Sequence, residues 1–223
     1  MGANMKIQTL AAASAAVGML VAASSANAAV SVLKTEEGNL FSPTVGQIIY
    51  DFDAISDPDV TYVGNVLQGP QTGDQSASPP YAGDVAGDTT RFASVQANTT
   101  GTLTTLNGFA LRDFSFYLGS PDDYNTVTFN FLGGGSQTLT GHEIWGGVVL
   151  GNGDRTKGFR VYYDFGGAKV TSIVFGTQDV DAFEFDGLAA TISAAPEPGA
   201  WALMIMGFGA AGAMLRRRRS AFA

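Results

Sequence analysis

The 223-residue chain has no cysteine and one histidine, His142. The first absence excludes disulfides, thiol nucleophiles and thiolate metal sites, so the fold must be held by its core. The second excludes a multi-histidine zinc site and leaves one residue on which a Ser-His-Asp triad would have to be built. His142 lies between Gly141 and Glu143 at what reads as a strand end, no nucleophile-elbow sequence is present, and it reads as a structural or surface histidine. Basic residues are few: 12 against 20 acidic ones, and Lys6 and Arg216–Arg219 at the two ends account for five of them. Between residues 29 and 195 there remain 7 bases and 19 acids, a net charge near −12. The seven are scattered, so there is no basic patch to hold nucleic acid. No 3.6-residue apolar period of useful length runs through this stretch either, which argues against a helical body.

What is there is a two-residue period. Gln47–Asp53, Leu111–Leu118, Thr126–Phe131, Phe159–Phe165, Val170–Phe175 and Ala182–Ile192 alternate or are continuously apolar over strand-like lengths. Shorter candidates are Ser31–Lys34, Thr61–Val66, Phe92–Gln96, Gly101–Leu106, Gln137–Thr140 and Val148–Leu150. Turn formers separate them, among them Pro121-Asp122-Asp123, Gly133-Gly134-Gly135 and Gly166-Gly167. Short strands so spaced predict an all-β, two-sheet sandwich, jelly-roll-like, over residues 29–195. The polar stretch 69–90 is expected to be a surface insertion that contributes nothing to the core.

The two ends differ from the body. At the start, Lys6 precedes an uncharged, Ala-rich run from Ile7 to Ala23, and Ala26-Asn27-Ala28 is a small-x-small cleavage site. Residues 1–28 thus read as a signal peptide, with Ala29 the first mature residue. At the other end, Pro196-Glu197-Pro198 leads into a run without charge from Gly199 to Leu215, closed by Arg216, Arg217, Arg218 and Arg219. Seventeen uncharged residues stand at the lower limit for a membrane span, and the arginines place its far end in the cytoplasm. Residues 199–215 are therefore expected to be a transmembrane helix and 216–219 its basic tail. With Trp201 and Ala202 after the Pro-Glu-Pro, residues 196–223 resemble the PEP-CTERM sorting signal of Gram-negative bacteria in its Trp-Ala variant. The resemblance implies recognition by exosortase, a membrane protease-transpeptidase, and a precursor held transiently in the inner membrane with its body periplasmic. It also implies a mature protein at the cell surface or in an exopolysaccharide matrix.

Residues that carry chemistry are harder to find. Gly207-Phe208-Gly209-Ala210-Ala211-Gly212 spells a dinucleotide fingerprint, but it lies inside the apolar run, without the preceding strand the motif needs. Asp179, Asp181, Glu184 and Asp186 form the densest acidic cluster, without the spacing of laminarinase-type glycosidases. Oxygen-rich turns could hold a structural calcium ion, with Asp51, Asp53, Asp122, Asp179 and Asp181 as candidate ligands; no other cofactor is implied. Trp145 and Tyr124 are the aromatic candidates for stacking on sugar rings. The expectation is an exported, non-enzymatic surface or matrix protein. A secreted carbohydrate-active enzyme and a calcium-stabilised adhesin are the alternatives.

Overall fold

A computed structural model describes residues 29–38, 42–73, 76–80, 89–119, 121–147, 154, 156–180, 182–195 and 198–220. The predicted strand Val148–Leu150 and the signal peptide, with Ala26 and Ala28, lie outside these residues. The described chain folds as two antiparallel sheets facing each other. The first holds β1 (Ser31–Glu37), β2 (Gln47–Tyr50), β4 (Val66–Gln68), β5 (Arg91–Val95), β8 (Asp113–Leu118), β11 (Phe159–Asp164) and β13 (Phe183–Ala190). Its order is β1-β11-β8-β13-β5-β4, with β2 also on β13. The second holds β3 (Val60–Val63), β6 (Thr100–Thr105), β7 (Phe109–Leu111), β9 (Asn125–Phe131), β10 (Ser136–Thr140), β12 (Val170–Thr177) and β14 (Ile192–Ala194). Its order is β10-β9-β12-β6-β3, with β7 joining β12 to β14.

Alternation decides which side chains meet between the sheets. Phe114 and Phe116 of β8, Tyr163 of β11 and Phe183 and Phe185 of β13 point inward from the first sheet. Val127 and Phe129 of β9, Ile173 and Phe175 of β12 and Leu103 of β6 meet them from the second. Phe175 stacks on Phe185 across the interface with ring centroids 4.0 Å apart, and Phe116 presents its edge to Phe175 at 5.4 Å. Aromatic packing of this kind supplies the burial that disulfides would otherwise support.

Three predicted strands each prove to be two. Leu111–Leu118 breaks at Arg112, Ala182–Ile192 at Thr191 and Thr61–Val66 after Val63; at each break the chain leaves one sheet for the other. The first two breaks form one corner. Arg112 donates its backbone N–H to the carbonyl of Thr191 (2.9 Å), and the N–H of Thr191 reaches Asp113 Oδ1 (2.7 Å). Across Thr191 the inward positions Ala190 and Ile192 stay in phase, so no pattern marks that switch, whereas at Arg112 they shift phase from Leu111 to Phe114.

Candidate functional site

The outward side of the first sheet carries its polar residues in register. Ser94 of β5 pairs with Glu184 of β13, Asp186 with Tyr117 of β8, and Tyr117 with Arg160 of β11, beside Glu36 of β1. Outward does not mean exposed here. Arg160 has no solvent exposure, and Glu184 only 5%. The segment from Ser76 to Pro80 lies across this face as a strap. Ala77 donates its N–H to Glu184 Oε1 (3.0 Å), Ser76 Oγ meets Ser94 Oγ (2.7 Å), and Tyr117 Oη donates to the Pro80 carbonyl (2.7 Å). Ser78, Pro79 and Pro80 are buried. Two glycines make room for them: a Cβ at Gly158 would stand 2.5 Å from the Pro80 oxygen, and one at Gly119 would stand 3.1 Å from Pro79 Cα. The expectation of a surface insertion is thus corrected for 76–80. Small and cyclic residues pack closely on a glycine-floored sheet, and their polar groups are satisfied by side chains beneath them.

Burial sets the electrostatics of this row. Burial, reinforced by the neighbouring Asp122, pushes the Glu184 carboxyl up to about 7, against the bond from Ala77. Burial likewise lowers the Arg160 guanidinium to about 10, opposed by Tyr162, Asp186, Glu36 and Tyr117. Arg160 Nη1 donates to Ser115 Oγ (3.1 Å). A second brace covers the β1 end, where Tyr162 Oη donates to Glu36 Oε2 (2.6 Å) and accepts the Thr44 N–H (3.0 Å). Chemically, Glu184 is a buried carboxyl that keeps its proton to near neutrality, with Asp122 near enough to raise it further. Any substrate would have to displace the strap to reach it.

The residues singled out by sequence are not brought together. Trp145 is fully buried at the end of a 3-10 helix, Gly141–Trp145, with Phe159 against its ring (6.5 Å), so it offers no open face to a sugar. This corrects its reading as a stacking platform: an indole this large fills the space that the 3-10 turn closes off. The turn also replaces the strand end expected around His142, whose Nε2 lies 3.1 Å from Asp123 Oδ1. Tyr124 is half-buried, and its carbonyl accepts the Gln178 N–H (2.9 Å). Asp51 is buried, and its Oδ1 accepts the N–H groups of Asp53, Ala54 and Ile55 at 2.7–3.0 Å, a turn-forming role. Asp53 Oδ2 accepts the N–H of Arg91 (3.1 Å). Asp122 lies beside Glu184, Asp179 occupies a left-handed turn position (φ 61°), and Asp181 is outside the described residues. Among the described residues no three acids or histidines form a group able to hold a metal.

The body ends abruptly at the tail. β14 pairs with β7, Lys169 Nζ donates to the Ala194 carbonyl (2.9 Å), and the Ala195 N–H reaches the Gly108 carbonyl (2.7 Å). A single helix, α1 (Pro198–Ser220), follows within three residues. Met204, Ile205, Met206, Phe208 and Met214 on it are exposed. Among the described residues no helix is long and apolar enough to cross a membrane. Residues 194–219 match the PEP-CTERM protein-sorting motif. The chain therefore carries the mark of an exported protein sorted by exosortase at the cell envelope. The PEP-CTERM match starts on the last residue of β14, so sandwich and signal adjoin without a linker. Of the motif residues named above, Pro198, Trp201, Ala202 and Arg216–Arg219 are on α1, while Pro196 and Glu197 lie outside the described residues. A search of curated proteins finds no match to the chain.

Proposed function

We propose that this is a non-enzymatic protein of the cell surface or extracellular matrix, delivered through its PEP-CTERM tail and associated there with exopolysaccharide. The observation that carries the reading is the motif over 194–219, which begins on the last residue of the sandwich's closing strand. In this reading the 17 uncharged residues 199–215 are the precursor's short membrane tether. As a helix they span about 25 Å against a hydrocarbon core of about 30 Å, so Arg216–Arg219 snorkel to the cytoplasmic interface and the bilayer thins locally. The interleaved strand order is read as a jelly-roll-like variant of the sandwich. Replacing Arg216–Arg219 by alanine, or deleting the chain from Pro196, is expected to leave an unprocessed or mislocalised product. Normal processing and surface delivery of both variants would overturn the reading.

One observation favours a second reading, a carbohydrate-active enzyme: the buried Glu184, held near neutrality in the electrostatic field of Asp122. The strap bonded across Glu184 weighs against it. Release of reducing sugar from matrix glycans, lost in Glu184→Gln, would establish the enzyme and displace the first reading.

A further inference from the structure

We propose that the outer face of the β10-β9-β12-β6-β3 sheet is a docking face for an uncharged polysaccharide chain; this rests on the matrix reading above and assigns it a surface. The register places three rows of outward side chains across these five strands, fourteen positions in all. The middle row reads Thr138, Thr128, Val174, Thr102, Val63, and the rows beside it hold only threonine, serine, asparagine and glycine. None of the five strands contains an Asp, Glu, Lys, Arg or His. That is unusual for a solvated surface, on which about a quarter to a third of residues carry charge, in a body with 19 acids and 7 bases. Depletion of charge is instead the compositional mark of a contact surface.

The chemistry of the face selects the partner. Every threonine and serine hydroxyl is both donor and acceptor, as is every sugar hydroxyl, while the threonine methyls and the two valines match the C–H faces of a pyranose. Some of the hydroxyls and amides are already aligned across strands: Thr128 Oγ1 and Thr138 Oγ1 are 2.8 Å apart, and Asn130 Nδ2 donates to Ser172 Oγ at 2.9 Å. A polyanion would gain no countercharge here and would meet the repulsion of the acidic body. Size argues against a second copy. Five strands and three rows cover about 20 Å by 14 Å, a few hundred square ångströms, where each partner of a stable protein pair gives up about 800 Å². A long polymer needs no such area, because many weakly binding copies along one chain add their affinities.

The test is co-sedimentation of the full chain, in a sugar-free detergent, with an insoluble neutral glucan and with alginate coupled to beads. The expected result is retention on the glucan but not on alginate, and at least about a tenfold loss of retention in Thr102→Lys/Thr128→Lys, a change of ~1.4 kcal/mol or more. Thr35→Lys, on exposed β1, adds charge elsewhere and is expected to bind as wild type. An unchanged thermal midpoint shows that the double variant folds. No retention of the wild type, equal retention of the double variant, or equal loss in Thr35→Lys would each overturn the proposal. So would concentration-dependent dimerisation abolished by the lysines, which gives the face to a second copy. Absence of wild-type retention on the glucan, with normal tail processing, overturns the docking face alone, whereas processing indifferent to Arg216–Arg219→Ala overturns the matrix reading beneath it.

Discussion

The two outer faces of the sandwich solve the same problem in opposite ways. Both belong to antiparallel sheets whose inner sides are packed with phenylalanine. The first sheet turns Arg160, Asp186, Glu184 and Tyr117 outward and then covers them. The second turns threonines outward and leaves them open, with Val63 69% exposed at its edge. The difference teaches that polarity on an outer strand position does not report exposure. Ionisable groups are concentrated where a strap and a brace supply hydrogen bonds, and they are excluded where solvent, or a partner, is the only neighbour.

Removing a charge from the covered face should cost most. Arg160→Met keeps much of the side-chain volume but leaves Asp186 and Glu36 without the cation beside them. Breaking a buried ionic group by deleting one member typically costs about 3–5 kcal/mol. Urea unfolding is expected to show a loss in that range. A loss under about 1 kcal/mol would mean the row is far wetter than its burial indicates, and the contrast between the faces would collapse.

Next in size is a pH effect confined to the same face. Glu184 holds its proton up to about 7 in the folded chain, whereas the unfolded chain releases it near 4.5. A carboxyl whose folded value is raised contributes stability fully present below 4.5 and lost as pH rises to 7. The loss is on the order of 2–3 kcal/mol. Glu184→Gln, which keeps an acceptor for Ala77, should flatten that part of the curve. Other carboxylates act in both proteins, so the difference between the two unfolding curves isolates this group. Parallel curves between pH 4.5 and 7 would sink the assignment.

The same face also shows where the sequence was legible and where it was not. The two-residue period sets Phe129 with Val127 and Tyr163 with Val161 on one face of their strands and Arg160 on the other; in the fold the first four are core and Arg160 is on the outer side. It could not show that Pro79 and Pro80 return over β8 and β13, because that contact depends on Gly119 and Gly158, some forty and eighty residues further along. It could not show that Trp145 is internal, since aromatic size favours a core and a sugar platform equally. The tail was legible because its signal is local: motif, uncharged run and arginines follow one another in sequence. The threonine rows were legible strand by strand, as Thr-x-Thr in 100–104, 126–128 and 138–140, but only the register joins them into a surface.

A smaller change should separate strap from sheet without touching charge. Tyr117→Phe removes the hydroxyl that holds the Pro80 carbonyl. An unsatisfied buried carbonyl costs about 1–3 kcal/mol. Because the loss falls on the strap, limited proteolysis within 76–80 should quicken more than global unfolding does. Equal acceleration at the strap and in the core would mean that the two open together, and the strap would be part of the sandwich rather than a cover on it.

The smallest expected effect is on the open face. Thr128→Val deletes the hydroxyl that meets Thr138 and keeps the branched shape suited to a strand. Solvent takes up the freed hydroxyl of Thr138, which is exposed, so stability should change by no more than about 0.5 kcal/mol in either direction. The same deletion removes one donor and one acceptor from the centre of the threonine rows, so retention on neutral glucan should fall although the melting temperature does not. A destabilisation above about 1 kcal/mol would place the Thr128–Thr138 bond among the interactions that hold the fold. The open face would then be structural in the same sense as the covered one. A stable variant with weakened retention keeps the two faces apart, one built to close the sandwich and the other to meet what lies outside it.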